Sequence, residues 1–382
     1  MPERINVEVL IVGAGVVGLA CASEFAHAGY TTLVVERNAH FGEETSSRNS
    51  EVIHSGIYYT PGSLKAQLCV KANRTTYKDC KKFNVWHRPI GKLIIAVTET
   101  EEKYLLQLHD QGKTNGVDGV TLLGKQQAAK VEPHIRCTAA LYLQSTGILD
   151  SHQLMSAYEH DARDNGATFV YGTSFLGASK NENGYSVRLK EANGTESEID
   201  AGYIINAAGF RATDVAQSIG FDTDACGYHF YPNRGHYFRV SMSKSSLVSH
   251  LVYPVPLHDQ AGLGIHITVD KAGQVKLGPD TEYIDPKTPP DQWYRFDESR
   301  KESFFKAVVR YFPAIAINDL SPDQVGVRPK IQAPGKPLPD FIINEESKRG
   351  FPGIVNLIGI ESPGLTCARE IAKKVLERIQ NS

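Results

Sequence analysis

The 382-residue sequence predicts an α/β fold, and three observations carry that expectation. An apolar strand near the N-terminus runs through a glycine turn into a helix. Two more short apolar strands, in the middle of the chain and near its end, finish in small residues or at a helix start. Between these elements lie runs rich in aromatic and β-branched residues, as in a mainly antiparallel sheet.

The first unit is Rossmann-type. Val7 to Val12 reads as a strand, Gly13-Ala14-Gly15-Val16-Val17-Gly18 as the turn, and Leu19 to Ala28 as the helix. Gly13 reverses the chain tightly, Gly15 removes a side chain where a pyrophosphate must approach the backbone, and Gly18 lets helix and strand pack closely. The helix start at Val16 and Val17 offers unpaired N–H groups and a positive dipole end to phosphate. A second strand, Thr31 to Val35, ends in Glu36, 23 residues after Gly13, where a carboxylate reaches ribose hydroxyls, with Arg37 beside it.

The loop that follows favours a longer dinucleotide than NAD. Thr45, Ser46, Ser47, Arg48, Asn49 and Ser50 place hydroxyls, an amide and a guanidinium in six residues, suited to the pyrophosphate and ring system of FAD; a merely solvated loop is the plain alternative. Tyr203 to Asn206 reads as a buried strand ending in Ala207, Ala208 and Gly209, where a backbone can close over the adenine side. Ile354 to Ile360, which includes Gly359, reads as another strand. Glu361, Ser362, Pro363, Gly364, Leu365 and Thr366 then lead into a final helix, Cys367 to Ile379. The start of that helix suits the flavin N1/C2 carbonyl region, which gains negative charge on reduction. No second GxGxxG occurs in the sequence, so no separate NAD(P)H site is expected.

Composition narrows the class. With 41% hydrophobic and 22% charged residues and 33 glycines, the chain is neither disordered nor collagen-like, and its length suggests two to three domains at about 150 residues each. A net charge of -2 provides no general field for nucleic acid or an anionic membrane. The six cysteines are dispersed without metal-ligand spacing, so reduced core thiols and no metal are expected. Neither a signal peptide, an apolar run of spanning length nor a C-terminal address is readable, which points to the cytoplasm, with mitochondrial import open.

Together with GAGVVG and Glu36, the segments SSRNSEVIHSGIYYTPGSLKAQLCVKAN (Ser46 to Asn73), PNRGHYFRV (Pro232 to Val240), LVYPVP (Leu251 to Pro256), GLGIHIT (Gly262 to Thr268), GVRPK (Gly326 to Lys330) and GIESPGLT (Gly359 to Thr366) resemble the D-amino-acid oxidase-like group of FAD oxidoreductases. Within it, the resemblance is to the L-2-hydroxyglutarate dehydrogenases and oxidases. It covers essentially the whole chain. Two features depart from that subgroup: a shorter stretch between Asp285 and Asp319, and Ile360-Glu361-Ser362-Pro363-Gly364 in place of an NAPSP-like signature. The resemblance implies a discontinuous GR2-like FAD-binding domain, residues 1–82, 146–222 and 326–382, with an inserted α+β substrate domain at 83–145 and 223–325. Trp86 to Val97, Ala139 to Gln144, His229 to Val240, His250 to Val255 and Leu263 to Val269 read as strands of the inserted sheet, covered by a helix from Ser299 to Phe312.

The implied reaction is oxidation of a small 2-hydroxy acid to the 2-oxo acid, with hydride transfer to flavin N5 and proton transfer to a base. His54 is the first choice for the base, because it follows the cofactor loop and titrates near neutral pH. His266 is the second choice, or a hydrogen-bond partner of the substrate. Either could instead be a satisfied structural histidine. Arg328 is the expected clamp for the substrate carboxylate, as the resemblance also implies, against a plain salt-bridge role. Tyr58, Tyr59 and Arg234 are secondary substrate contacts, and Lys65 is a partner for a distal carboxylate. Oxidation of a small amino acid or secondary amine, or flavin binding without turnover, are the rival readings. Oxygen, a quinone or an electron-transfer flavoprotein could accept the electrons. His40, His54 and Cys367 lie near cofactor segments in the sequence, but non-covalent FAD is expected.

Overall fold

The computed structural model describes residues 5–255, 264–285 and 287–381. The first strand, Ile5–Val12, is fully buried over Val9–Val12. It pairs in parallel with Thr32–Val35 on one side and Glu196–Asn206 on the other, which explains its continuous rather than alternating apolar run. Thr168–Val170 continues the sheet beyond Thr32–Val35, and Phe351–Ile358 lies parallel to the end of Glu196–Asn206. The antiparallel strands Thr173–Asn181, Gly184–Glu191 and Ile342–Glu346 complete eight strands among the described residues.

The helices Val16–His27, Leu64–Lys82, Ser151–Asp164 and Gly364–Gln380 share one core with this sheet. In the last of them Ala368, Ile371, Ala372, Val375 and Ile379 form the buried stripe, at helical spacing. Ala212–Ile219 packs on a second core with the sheet. The buried amides Asn206 and Asn356 face each other in register, Nδ2 of Asn206 donating to Oδ1 of Asn356 at 2.8 Å. Five of the six cysteines are buried.

A second sheet has nine strands among the described residues, all antiparallel to their neighbours except Leu251–Pro254 against Lys92–Ala96. Its long members are Tyr231–Val240 and Leu320–Lys330, paired so that Asn233 faces Arg328 and Gly235 faces Gly326. The strand Leu320–Lys330 thus runs across residue 326, where the sequence suggested a boundary. The helix Lys301–Val309 covers this sheet through Phe304 and Val308; it is shorter than expected, because Glu298–Arg300 is a 3-10 turn and the helix stops before Tyr311.

The expected strand Trp86–Val97 is two strands. His87–Arg88 joins Val52–Ile53 and Gly147–Leu149 in a small third sheet, while Lys92–Ala96 enters the second. Pro89 lacks an N–H for a ladder, and Gly91 takes φ 78°, so pairing cannot run through. The expected strand from Leu263 reduces to Ile267–Val269, and Leu263 itself lies outside the described residues.

Candidate active site

The C-terminal ends of the parallel strands open on a cleft of about 970 Å³, at the upper end of small-ligand sites, which suits a long dinucleotide. Its wall at one end is the glycine turn. Gly13 takes φ 104°, and a Cβ there would lie 2.7 Å from the Ala207 carbonyl oxygen; one on Gly18 would lie 2.0 Å from the Gly13 carbonyl oxygen. Gly13, Gly15, Val16 and Val17 line the cleft, whereas Gly18 lies behind it and serves packing. Ser46 closes over the turn: its Oγ accepts from the Val16 N–H at 3.0 Å, and a Cβ on Gly15 would lie 3.2 Å from it.

Glu36 and Arg37 line the same end. The Glu36 carboxylate accepts from the N–H groups of Ala14 and Asn38, both at 2.8 Å, which fixes it beside the turn. Burial raises its pKa, and these two bonds oppose the rise. Arg37 pairs with Glu44. Ala207, Ala208 and Gly209 form the facing wall. A backbone this close, a capped glycine turn and a carboxylate held 22 residues from the Ala14 N–H it accepts make a cradle that fits the adenosine and pyrophosphate of FAD.

The polar loop divides by role. Thr45, Ser46, Arg48, Asn49 and Ser50 line the cleft. Ser47 does not; its hydroxyl donates to the Glu44 carbonyl at 3.2 Å. Arg48 donates to the Glu43 carbonyl at 2.7 Å and lies 4.2 Å over the Tyr294 ring. Asn49 donates to the Ser46 carbonyl at 2.7 Å, and Ser50 shares a hydrogen bond with the Tyr237 hydroxyl at 2.8 Å.

At the far end, Glu361, Ser362, Pro363, Gly364 and Leu365 line the cleft at the start of the final helix. Gly359 and Thr366 sit behind them. Thr366 acts as a fixture: its hydroxyl donates to the Val52 carbonyl and accepts from the His54 N–H, both at 3.1 Å. Asn73 holds the His54 carbonyl at 3.0 Å. The His54 ring, on the cleft, has Nε2 3.3 Å from Ser362 Oγ. Depth within the protein pushes its pKa down to about 3, with the Lys92 cation adding to the fall.

Arg328 enters from the second sheet. Nη1 donates to Asn233 Oδ1 at 2.6 Å and Nη2 to the Asp280 carbonyl at 2.9 Å, so the fork is oriented by neutral acceptors and keeps its full charge for an anion. The Asp280 carboxylate belongs to another network, His236 Nδ1 at 3.1 Å and Arg300 at 2.8 Å. These partners outweigh burial and hold its pKa low. His266 lines the cleft with its ring stacked on Tyr253, centroids 3.7 Å apart and planes within 12°. Tyr58 and Tyr59 line it too.

Two expected substrate contacts are not on the cleft. Lys65 is 3% exposed and faces Glu361 Oε1 at 3.9 Å, and Arg234 is engaged by Glu282 at 3.1 Å. Each already has its carboxylate inside the protein. Lys330, to which the sequence reading gave no role, does line the cleft, 3.2 Å from Glu361 Oε2. Tyr237 and Tyr253 were missed as well. Strand alternation carries the signal for the first: Asn233, Gly235 and Tyr237 share a face, as do Arg328 and Lys330.

Comparison with known proteins supplies the family. The family model described as FAD dependent oxidoreductase matches residues 8–378. The L-2-hydroxyglutarate dehydrogenase, mitochondrial, of Arabidopsis thaliana is 36% identical over 98% of this chain and 83% of its own length. The glycerol 3-phosphate dehydrogenase of Caloramator mitchellensis is 27% identical over 98% of this chain and 74% of its own. Among solved structures, the dithionite-reduced L-alpha-glycerophosphate oxidase of Mycoplasma pneumoniae with FAD bound superposes with a TM-score of 0.85 at 25% identity, covering 98% of this chain and 95% of that one. With a glycine cradle at one end of its cleft and a charged, histidine-bearing wall at the other, the chain belongs to the FAD dependent oxidoreductase family.

Proposed function

We propose that the protein oxidises a small 2-hydroxy acid of the L-2-hydroxyglutarate type to the 2-oxo acid. The observation that carries this reading is the pre-oriented Arg328 fork on the same cleft as His54, a candidate carboxylate clamp and a candidate proton acceptor lining one pocket. The 36% identity to the Arabidopsis dehydrogenase supports the substrate class. Bound FAD supplies the two-electron acceptor for the substrate's Cα hydrogen.

The chain's own residues do the rest. The turn from Gly13, Glu36 and Ser46 hold the adenosine and pyrophosphate, and the residues from Glu361 to Leu365 hold the ring end. Arg328 binds the C1 carboxylate bidentately and fixes which face of the reacting carbon is presented. His54 Nε2 takes the hydroxyl proton once the substrate hydroxyl replaces Ser362 Oγ as its hydrogen-bond partner. Its low proton affinity in the free protein keeps it neutral and ready, and the negative charge of the bound substrate raises that affinity when the proton must be taken. The contact to the substrate oxygen that we assign to His266 is supported by its stacking on Tyr253 in the cleft wall. The discontinuous FAD domain and the inserted substrate domain belong to the same proposal.

A second reading, oxidation of a glycerol 3-phosphate-like alcohol, is favoured by the likeness to the Mycoplasma oxidase and the Caloramator dehydrogenase. Anaerobic mixing of FAD-loaded protein with 2-hydroxy acids, amino acids and glycerol 3-phosphate tests both. Bleaching by 2-hydroxy acids alone is expected, and bleaching by glycerol 3-phosphate alone reverses the assignment. Admission of air, a quinone or an electron-transfer flavoprotein then identifies the acceptor. No helix among the described residues is long and apolar enough to cross a membrane. A cytoplasmic site is our reading, and fractionation that finds the protein in mitochondria overturns it.

A further inference from the structure

Lys92 opens the strand Lys92–Ala96 and is fully buried. Among the described residues its Nζ has no hydrogen-bond partner and forms no ion pair. The ammonium instead sits against two aromatic faces, 4.5 Å from the centre of the Tyr253 ring and 5.0 Å from that of Tyr58. Both tyrosines line the cleft beside His54 and His266. The Tyr58 hydroxyl is itself buried without a hydrogen-bond partner among the described residues.

A buried cation with no anion is costly, and ring quadrupoles return only part of that cost. Burial pushes the Lys92 pKa down to about 7. A cation over a phenol ring also draws density from it and makes its O–H a better donor to an anion. Arg328 serves only the carboxylate next to the reacting carbon. Lys65, which the sequence suggested for a distal carboxylate, and Arg234, suggested as a secondary substrate contact, are turned to Glu361 and Glu282 instead.

We propose that Tyr58, with Lys92 behind its ring, forms an anion subsite that takes the distal carboxylate of a 2-hydroxy dicarboxylic acid. This deepens the 2-hydroxy-acid reading above and rests on it. Tyr58 is the direct donor; Lys92 is a positioning residue that acts through the ring and the local field. A carboxylate bound there would supply the counter-charge that no described residue provides and would favour the protonated Lys92.

The test uses redox-inert ligands, glutarate and valerate, titrated into FAD-loaded protein and followed by the perturbed flavin spectrum. The wild type should bind glutarate at least about tenfold more tightly than valerate, and Lys92→Met and Tyr58→Phe should each bring that ratio to within about threefold of one. Lys92→Met should also raise the Tm measured without carboxylate, because it removes the uncompensated charge; a lysine kept for structure would lower it. Should Lys92→Met lose FAD, Tyr58→Phe decides. A wild-type ratio near one, or a ratio that survives Tyr58→Phe, overturns the subsite. Turnover separates the two readings: glutarate selectivity without flavin reduction by any 2-hydroxy acid keeps the subsite and sinks the reaction, and reduction without selectivity does the reverse.

Discussion

Arg328 is held in place by Asn233 and the Asp280 carbonyl, so in its proposed role as a carboxylate clamp little ordering cost would remain on binding. Removing the guanidinium leaves that carboxylate desolvated and unpaired. Arg328→Met should therefore lower kcat/KM by roughly 2–5 kcal/mol, with Arg328→Lys losing less because charge survives without the fork. Steady-state kinetics on mono- and dicarboxylic 2-hydroxy acids check this, and equal losses on both place the clamp at the shared end. For His54, substitution by Gln should slow flavin reduction about 10²–10⁴-fold with FAD content intact. The pH behaviour follows from the depressed pKa. Between about 3 in the folded protein and 6.5 unfolded, the unfolded chain binds more protons, so His54 costs stability as pH falls through 6.5. Urea titrations from pH 7 to pH 4 should show a shallower loss in His54→Gln than in wild type. By the same displacement, the acid limb of kcat/KM that belongs to His54 should lie well below pH 6.

At the scale of elements, the glycine turn makes two separable demands. A Cβ at Gly18 meets the Gly13 carbonyl, which is backbone and cannot step aside, whereas one at Gly15 meets only the Ser46 hydroxyl. Gly18→Ala should cost about 1–3 kcal/mol in the FAD-free protein by urea unfolding. Gly15→Ala should cost less stability but still lose FAD, since the methyl group occupies the pyrophosphate approach. Equal stability losses would mean that the turn relaxes as a unit. This unit was legible in the sequence because strand, turn, helix and acceptor carboxylate are local and their spacing is fixed by the chain itself. Arg328 was singled out by its chemistry and by the resemblance that GVRPK carries, and it does line the cleft. Lys92 was not legible. In GKLIIA it looks like a polar start to an apolar strand, and its inward direction comes from pairing with the strand that carries Tyr253, a neighbour about 160 residues away. The engagement of Lys65 and Arg234 was not legible for the complementary reason: their partners, Glu361 and Glu282, are distant in sequence and only the fold brings them together.

At the scale of the whole molecule, the cleft draws its walls from both large sheets. The first supplies the glycine turn, Glu36 and Ala207; the second supplies Tyr253, Gly235 and Arg328. FAD bound along that cleft should stabilise both halves, by about 2.7 kcal/mol at a free concentration a hundred times its dissociation constant. In the proposed reaction a carboxylate held by Arg328 would share the cleft with FAD and would gain a second wall from it. Binding of the two should therefore be coupled, and the coupling must be reciprocal. Glutarate is expected to raise the Tm of the FAD-loaded protein, followed by far-UV circular dichroism, and to leave the stripped protein nearly unmoved. Conversely, FAD should dissociate more slowly in glutarate than in its absence, and Arg328→Met should abolish that slowing without changing the FAD off-rate measured alone. Equal Tm shifts with and without FAD would mean that the carboxylate site is complete in the protein itself, and the cleft would then be two independent pockets rather than one continuous site.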